Sequence, residues 1–338
     1  MKVWILTDDR TGSNNQSIAI GESLSNDCIV KKISYNFFVK LPNFIRKNTL
    51  IGINKKESSD IENDLPDVVV CAGRRLSSAA LYIKKLSKGK TFVINILNPN
   101  LSYDKFNLIL LPFHDNTPKN LLEKGNIIET YGSLNRVNKQ KIESETEKFK
   151  PLINKYKKPL ISFIIGGDTK DYKFNPQDFG KITKGLSNIT NELSGSLLIT
   201  TSRRTSAGCV EEIKNNLDCN NYLYDWAWEN NSNNNAKSEL GNPYFAMLGS
   251  ADFLVVTGDS ISMVSEACST GKPVYVYMPK NILSKKHYRF CKKLLDDGYI
   301  KEFNENTTDF ETYNYKPLNE VERVNKIILQ KIKEQNDL

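Results

Sequence analysis

The chain has 338 residues, a quarter of them charged, and its formal net charge at pH 7 is +8. This length is generous for one domain and comfortable for two, each with its own core. The positive charge is spread along the whole chain, so it favours anionic small molecules or a membrane surface and gives no reason to expect nucleic acid. With only two histidines, the composition excludes a histidine metal cluster.

The six cysteines are widely scattered and form no CxxC pair, which predicts reduced core thiols in a cytosolic protein. The apolar run at the N-terminus is too short for a signal peptide, and no window is long enough to cross a bilayer. We therefore expect a cytoplasmic protein that is soluble or lies peripherally on the inner membrane.

Short apolar runs alternate with helical stretches along the chain, which predicts an α/β protein with buried parallel strands. The predicted strands are 3–6, 67–72, 91–96, 107–112, 160–165, 196–201, 252–257 and 274–278. A lysine-rich segment without a strand-like run, 135–158, separates two similar halves. We predict an N-terminal Rossmann-like domain over 1–145, a C-terminal one over 146–320, and a final helix over 321–338 that packs back on the first domain.

Paired arginines follow two of the predicted strands. "VVVCA" runs into "GRRLSS" and "LLITT" runs into "SRRTSAG", so Arg74–Arg75 and Arg203–Arg204 lie where a strand ends and a helix begins. Open α/β sheets bind ligands at this edge, where helix N-termini offer N–H groups to anions and arginine matches phosphate or carboxylate. We predict anion binding by at least one pair. The alternative is that the arginines cover the sheet ends and pair with local acids.

A third strand end, "IIGGDTKD", carries two adjacent glycines, Gly166 and Gly167. Glycine lets a backbone approach a diphosphate closely, although an ordinary tight turn uses the same residues. The chain has neither GxGxxG nor the lysine-bearing P-loop, so its motifs indicate neither dinucleotide binding nor ATP hydrolysis.

Residues 254–271 are unusually poor in charge and include only Asp259 and Glu266. The segment predicts a strand, a "GDS" turn and a helix that starts near Ile261. The polar face of that helix is expected to consist of Ser262, Ser265, Glu266 and Ser269. Small serines would leave room above the helix, and Glu266 would accept two hydrogen bonds from a diol such as a ribose. The alternative is a solvated helix face.

Six blocks occur in a characteristic order: "WILTDDRTGSNNQS", "CAGRRLSSA", "LPFHD", "TTSRRTS", "NPYFAML" and "ADFLVVTGDSISMVSEACSTGKPVYV". In this combination the chain resembles the elongated-mitochondria family of mitochondrial fission proteins and their bacterial glycosyltransferase-like relatives, over most of its length. The resemblance implies a GT-B-like fold, in which two Rossmann-like domains face each other across a cleft. It also implies a nucleotide-sugar held by the C-terminal domain as substrate, with no cofactor and no metal.

The resemblance assigns roles to individual residues, with Glu266 at the donor ribose and the two glycines near the diphosphate. The expected nucleotide-sugar site comprises Gly166, Gly167, Ser202, Arg203, Arg204, Asn242, Tyr244, Asp259, Ser260, Ser262 and Glu266. The expected acceptor or anion-binding residues are Arg10, Gln16, Arg74 and Arg75. Many relatives carry proline or histidine in the first loop, where this chain has Thr11 and Ser13, so no catalytic histidine carries over to that loop.

Sugar transfer needs a base for the acceptor hydroxyl and positive groups for the departing diphosphate. The candidates for the base all follow predicted strands of the first domain: Asp8, Asp9, His114 and Asp115. Asp8 or Asp9 is favoured, because a histidine such as His114 is as well suited to a structural role at the end of the sheet.

We expect a glycosyltransferase that moves a sugar onto an envelope lipid or polysaccharide precursor. One alternative is a non-enzymatic adaptor at a membrane surface, as the fission role of the eukaryotic relatives implies. Another is a nucleotide-sugar epimerase, although the NAD-dependent kind would need the GxGxxG fingerprint that this chain lacks.

The segment "YNFFVKLPNFIRK", residues 35–47, mixes phenylalanines with lysine and arginine. Such a mixture suits docking to an anionic lipid surface. The alternative is a connection whose aromatic side chains pack into the core of the first domain.

Overall fold

A computed structural model describes residues 1–169, 173–231, 238–280 and 283–336. The chain divides into two units, one formed by Met1–Arg136 with Asn319–Leu338 and the other by Val137–Leu318. Each unit is built on a six-stranded sheet whose neighbouring strands all run parallel. The predicted α/β class with two Rossmann-like domains is confirmed.

The first sheet has the order β2-β1-β3-β4-β5-β6 and the second has the order β12-β11-β10-β7-β8-β9. The strands of the first sheet are β1 (Val3–Thr7), β2 (Cys28–Lys32), β3 (Val68–Ala72), β4 (Phe92–Ile96), β5 (Leu108–Pro112) and β6 (Ile127–Thr130). Those of the second are β7 (Leu160–Ile164), β8 (Ser196–Thr200), β9 (Asn221–Tyr224), β10 (Phe253–Thr257), β11 (Val274–Tyr277) and β12 (Lys301–Phe303).

Helices cover the sheets. In the first unit they are α1 (Thr11–Leu24), α2 (Asn43–Arg46), α3 (Gly73–Leu86) and α4 (Lys119–Leu122). The second unit has α5 (Lys139–Ile153), α6 (Pro176–Glu192), α7 (Ala207–Asn215), α8 (Trp226–Glu229), α9 (Tyr244–Ser250), α10 (Ile261–Cys268) and α11 (Lys285–Asp296). The last helix, α12 (Glu320–Asn336), belongs to the first unit, where Val324 and Ile328 join its core.

Both faces of each sheet are buried, which explains the continuous apolar runs of the inner strands. Along β1, Trp4 and Leu6 belong to one core cluster, whereas Val3 and Ile5 belong to the cluster on the opposite face. Successive side chains of a strand point to opposite faces, so a strand covered on both sides needs apolar residues at every position.

The segment 135–158, predicted to be the linker, contains helix α5. Phe149 and Ile153 of this helix are buried in a cluster with Ala246 and Met247 of α9. Gly249 allows the two helices to approach closely, because a Cβ at that position would lie 2.4 Å from the hydroxyl of Thr146 on α5. The helix is therefore part of the second unit.

Each sheet contains a topological switch point, where the chain changes its direction of progress across the sheet. In the first sheet the switch lies between β1 and β3, and in the second it lies between β7 and β10. Numbered from its own first strand, the second sheet has the 3-2-1-4-5-6 order of dinucleotide-binding domains. Ligands of open α/β sheets bind outside the carboxyl ends of the strands at such points.

Candidate functional site

Three loops meet at the switch point of the second sheet, each following the carboxyl end of a strand. They are residues 165–168 after β7, 201–205 after β8 and 258–260 after β10. Hydrogen bonds join the β7 loop to both the β8 loop and the β10 loop. The sequence placed its glycine pair, its second arginine pair and Asp259 at strand ends, and the structure brings all of them together here.

The N–H groups of the glycine pair are used inside the protein. Gly166 donates its N–H to the hydroxyl of Thr257 at 2.8 Å, and Gly167 donates to the carboxylate of Asp259 at 3.0 Å. These N–H groups are therefore not available to a diphosphate. The sequence, in contrast, had suggested that the backbone of this loop approaches one. Their partners are buried residues at the end of β10, so the bonds fix the β7 loop against β10.

The carbonyl groups of the same loop are held from the β8 side. Gly166 accepts hydrogen bonds from the hydroxyls of Ser202 and Thr205, and Gly167 accepts one at 2.8 Å from the Arg204 guanidinium. Buried polar groups of a backbone are stable only when they are paired in this way. The hydroxyl of Ser202, a predicted nucleotide ligand, thus holds the glycine loop.

Close packing explains why both positions are glycine. A Cβ on Gly166 would lie 2.3 Å from a carboxylate oxygen of Asp259, and a Cβ on Gly167 would lie 2.2 Å from the backbone of Arg204. Gly167 also has a φ of +155°, which residues with a side chain rarely adopt. The neighbouring protein atoms, and not a ligand, demand glycine at these two places.

Asp259 is the centre of this network. Its side chain is fully buried and accepts hydrogen bonds from Thr257 at 2.6 Å, from Gly167 and, at 2.8 Å, from Arg204. All three donors are protein groups, so Asp259 positions the loops and is not placed to bind a nucleotide directly.

The two arginines of the β8 loop differ in their surroundings. Arg204 is half-buried and its guanidinium bonds to Asp259 and to the carbonyls of Gly167 and Asp168. Arg203 is exposed, and its side chain makes no hydrogen bond or ion pair with any described residue. Arg203 is therefore the residue of this pair that is available to a soluble anion.

Helix α10 begins at the same edge. Its N-cap is Ser260, whose hydroxyl accepts from the N–H of Met263. The proposed row of serines above the helix is partly wrong, because Ser265 is fully buried and the hydroxyl of Ser269 donates to the carbonyl of Leu318. Ser262 is half-buried, so the accessible part of this face is smaller than the sequence suggested.

Glu266 lies on α10 and pairs with Tyr244 of α9. The Tyr244 hydroxyl donates to Oε2 of Glu266, while Oε1 accepts no hydrogen bond from any described residue. Burial raises the pKa of Glu266 to about 7, and the bond from Tyr244 opposes this rise only in part. Burial and the Glu266 carboxylate together raise the pKa of Tyr244, so its hydroxyl remains a donor. Asn242, which is exposed, accepts the N–H of Tyr244.

At the switch point of the first sheet, the buried Asp8 forms an ion pair with the half-buried Arg10. The Asp8 side chain is fully buried and accepts from the Arg10 guanidinium at 2.6 and 2.8 Å and from the Arg10 N–H at 2.9 Å. Arg10 also donates to the carbonyl of Ala72 at the end of β3. With both oxygens occupied, Asp8 joins β1 to β3 and is poorly placed to accept a proton from a substrate.

Asp9 is more accessible. Its side chain is 72% exposed, and Arg75 of α3 contacts its Oδ1 at 2.7 Å. Arg74, which precedes Arg75 in the sequence, is exposed, and Gln16 is half-buried on α1. Asp9, Arg74 and Arg75 therefore form the accessible polar group at this edge, and Asp9 is the one of the two aspartates that a substrate can reach.

His114 and Asp115 do not belong to this group. They follow β5, which is separated from β1 by β3 and β4, so a strand spacing of about 4.8 Å places the two strand ends roughly 14 Å apart. His114 is buried, with its ring edge-to-face against Phe113, while Asp115 lines a separate pocket of about 220 Å³ with Asn98 and Tyr103. The four proposed catalytic residues therefore do not form one constellation.

Two further observations concern the described part of the chain. None of its groups of His, Cys, Asp and Glu brings three or more such side chains together in a way that could hold a metal ion. None of its helices has the length and apolar character that crossing a bilayer requires.

Among the proteins similar to this chain are two relatives and one solved structure. An uncharacterised protein of Rickettsia prowazekii, RP120, is 34% identical, with 97% of this chain and 98% of that protein covered. The mitochondrial fission protein ELM1 of Arabidopsis thaliana is 28% identical, and the match covers 80% of this chain but only 64% of the plant protein. UDP-GlcNAc 2-epimerase of Methanocaldococcus jannaschii superposes with a TM-score of 0.52 at 15% identity, over 98% of this chain and 100% of the epimerase.

The structural likeness at this low identity establishes the fold alone, which is of the GT-B type. The family model for mitochondrial fission ELM1 matches residues 11–332, nearly the whole chain. This match and the Arabidopsis relative confirm the resemblance inferred from the sequence motifs. The chain belongs to the mitochondrial fission ELM1 family.

Proposed function

We propose that this protein is a metal-independent glycosyltransferase that transfers a sugar from a nucleotide-sugar to an envelope lipid or polysaccharide precursor. The observation that carries the proposal is the β7–β10 switch point, where a buried network holds three loops together and one of these loops presents the exposed Arg203. Sheets with this strand order bind nucleotides at this position. In the same proposal, the protein works in the cytoplasm at the inner membrane.

Chemically distinct groups are available for the two parts of a nucleoside diphosphate. Glu266 offers Oε1 to a ribose diol, while Tyr244 holds Oε2 and thereby fixes the carboxylate. Arg203 and the N-terminal N–H groups of α7 and α10 offer positive potential to the diphosphate, because the first N–H groups of a helix have no partner within it. These groups can stabilise a departing diphosphate without a metal ion.

On the acceptor side, we propose Asp9 as the base that takes the proton of the attacking hydroxyl. The new bond forms between that oxygen and the anomeric carbon, and the bond from this carbon to the diphosphate breaks with its electron pair leaving on the phosphate. Support comes from the exposure of Asp9 and from Arg75, which fixes one of its oxygens and leaves the other accessible.

Calorimetric titration with UDP, GDP, CDP and ADP at pH 8 tests the donor site, because Glu266, with a pKa of about 7, is ionised there. We expect one base to be preferred and Glu266→Gln to weaken its binding by roughly tenfold, as the loss of a charged hydrogen-bond acceptor predicts. Glu192→Gln is the matched control, because Glu192 is exposed at the far end of α6. If no nucleotide binds to the wild type, or if both variants bind equally well, the donor site is wrongly assigned.

A non-enzymatic adaptor is the second candidate. It is favoured by the family itself, since the Arabidopsis relative is named as a mitochondrial fission protein. An adaptor would retain the buried network for stability but would bind no nucleotide-sugar. The same titration therefore separates the two functions.

An epimerase acting on a nucleotide-sugar is also testable, because the Methanocaldococcus jannaschii enzyme was solved with UDP-GlcNAc and UDP. Incubation of this protein with UDP-GlcNAc and no acceptor distinguishes the reactions. An epimerase would convert the sugar without an acceptor, whereas a transferase would leave it unchanged until an acceptor is supplied.

A further inference from the structure

Residues 37–51 of the first unit carry an unusual concentration of exposed apolar side chains. The structure describes eleven large hydrophobic residues as exposed, and five of them lie in these fifteen positions, including all three exposed phenylalanines. We call this set the apolar platform: Phe37, Phe38, Phe44, Ile45 and Ile51. Their exposed fractions are 75, 57, 67, 45 and 43%, so the sequence alternative, in which these side chains fill the core, is wrong.

Buried polar side chains hold the platform from below. Arg46 is completely buried and donates to the carbonyls of Ile51 and Arg75 at 3.1 Å. Asn43 is also buried, and its amide donates to the carbonyls of Arg74 at 2.7 Å and Pro99 at 2.8 Å. These residues occupy the inward-facing side of α2, so its apolar side chains have no place in the core.

The ends of the segment are fastened to each other. The N–H of Asn36 donates to the carbonyl of Gly52 at 3.0 Å, and Tyr35 and Ile53 form an antiparallel bridge. Gly52 has a φ of +89°, and a Cβ there would lie 2.8 Å from the backbone nitrogen of Val39. The platform is thus a fixed surface of the fold and not a loose loop.

The chain segment that carries the platform has charges of only one sign. From residue 28 to residue 56 the chain contains seven lysines and arginines and no aspartate or glutamate. Lys40 and Lys47 are exposed within the platform segment, and the Lys40 ammonium lies 5.0 Å from the centre of the Phe37 ring. Exposed aromatics among lysines, without acids, match the interface of an anionic bilayer, which takes up both aromatic rings and cations.

We propose that the apolar platform docks onto an anionic lipid bilayer. The phenylalanines enter the region between headgroups and acyl chains, and Lys40 and Lys47 contact anionic headgroups. A surface that exposes five large apolar side chains is otherwise unfavourable in water, and the positive charge of the lysines favours an anionic lipid partner.

Docking on a bilayer favours one class of acceptor substrate, an inference that rests on the proposed function. Arg46 and Asn43 bond to the backbone of Arg74 and Arg75, and the Arg75 side chain holds Asp9. The platform is thereby joined directly to the accessible polar group at the end of β1. An acceptor carried by a lipid would meet this group at the bilayer surface, so the lipid precursor is the acceptor class favoured over a free polysaccharide.

Co-sedimentation with vesicles tests the docking, without nucleotide, so that its outcome is independent of the donor site. We expect the wild type to sediment with vesicles of phosphatidylcholine plus phosphatidylglycerol, and much less with phosphatidylcholine alone or in high salt. Phe37→Ser with Phe38→Ser should reduce the bound fraction at least tenfold through lost apolar contact. Lys40→Ser with Lys47→Ser should remove most of the preference for anionic vesicles.

Leu86→Ser with Leu329→Ser is the matched control, because these side chains are exposed outside the platform. The control should bind vesicles like the wild type, and circular dichroism should show that every variant is folded. If the phenylalanine pair fails to fold, Phe44→Ser, at a site that is 67% exposed, replaces it. Equal binding of the phenylalanine variant and the control would overturn the proposal. So would a wild-type dimer that this variant dissociates, since the platform would then be a self-association surface.

Discussion

The buried carboxylate of Asp259 offers the sharpest test of how the second switch point is built. Asp259→Ala removes the common acceptor of three donors, namely the Thr257 hydroxyl, the Gly167 N–H and the Arg204 guanidinium. Two of these donors are buried, and Arg204 retains 38% exposure of its side chain. The change therefore leaves buried polar groups without partners and a cation only partly compensated by water.

The expected loss in the free energy of unfolding follows from the exposure of these groups. Breaking a fully buried ion pair costs about 3–5 kcal/mol, and each buried donor left unpaired costs about 1–3 kcal/mol. Because solvent reaches Arg204 and because a small cavity can admit water, the sum overestimates the effect. We expect a loss of about 3 kcal/mol for Asp259→Ala, and about half of that for Asp259→Asn, which keeps the shape and one acceptor.

Asp252 provides a control at the opposite end of the same strand, because it comes directly before β10 whereas Asp259 follows it. Its carboxylate accepts one N–H, from Leu160 at 2.8 Å, and lies 3.4 Å from the Lys158 ammonium, with 35% of its side chain exposed. Asp252→Ala should therefore cost about 1 kcal/mol. The comparison keeps the residue type and the flanked strand the same, while the burial of the carboxylate and the number of its partners differ.

Urea unfolding and hydrogen exchange together measure the outcome. Asp259→Ala should lower the midpoint of unfolding of the second unit and accelerate amide exchange in peptides that contain Gly166 and Gly167. Asp252→Ala should leave that exchange unchanged. If Asp259→Ala is no more destabilising than its control and exchange at the glycines stays slow, the network does not hold the loops and the reasoning is wrong.

Three further outcomes are expected. The folded protein retains a proton on Glu266 up to about pH 7, whereas an unfolded glutamate loses it near pH 4.5. The free energy of unfolding should therefore fall as pH rises from about 4.5 to about 7. In thermal melts at a series of pH values, Glu266→Gln should make this fall smaller. Gly167→Ala should destabilise by at least about 2 kcal/mol because its Cβ would overlap backbone atoms, whereas Gly185→Ala, with open space in helix α6, should be neutral or stabilising by up to about 1 kcal/mol. Arg203→Ala should weaken diphosphate binding without changing the melting temperature, whereas Arg204→Ala should lower the melting temperature. Equal effects of the two substitutions on the melting temperature would contradict the different roles assigned to the two arginines.

The eight inner strands were predictable and the four edge strands were not. The predicted runs correspond to β1, β3, β4, β5, β7, β8, β10 and β11, whereas β2, β6, β9 and β12 form the two edges of each sheet. An inner strand is covered on both faces and reads as a continuous apolar run. The edge strand β2, with the sequence "CIVKK", is half exposed, and β12 is only "KEF". Such short, polar segments carry no strand signal that can be distinguished from a loop.

The proximity of the candidate site residues was predictable because they follow neighbouring strands, but the contacts of the individual residues were not. The carboxyl ends of parallel strands share one edge, so Gly166, Arg204 and Asp259 had to lie near one another once the strands were known. Sequence alone does not show which polar atoms are consumed inside the protein. In the sequence, a glycine that leaves room for a phosphate cannot be distinguished from one that leaves room for the carboxylate of Asp259. Likewise, nothing in the sequence separates the exposed Asp9 from the buried Asp8 beside it.

The two arginine pairs show how the two units use one arrangement. In each pair the second arginine bonds to an acid that follows a different strand across the switch point: Arg75 to Asp9 after β1, and Arg204 to Asp259 after β10. In each pair the first arginine, Arg74 or Arg203, is exposed. Consecutive residues at the start of a helix or turn point in different directions, so when one faces the neighbouring loop the other can face solvent. In both units, therefore, the second arginine of the dipeptide pairs with an acid after another strand, and the first leaves its positive charge exposed at the sheet edge.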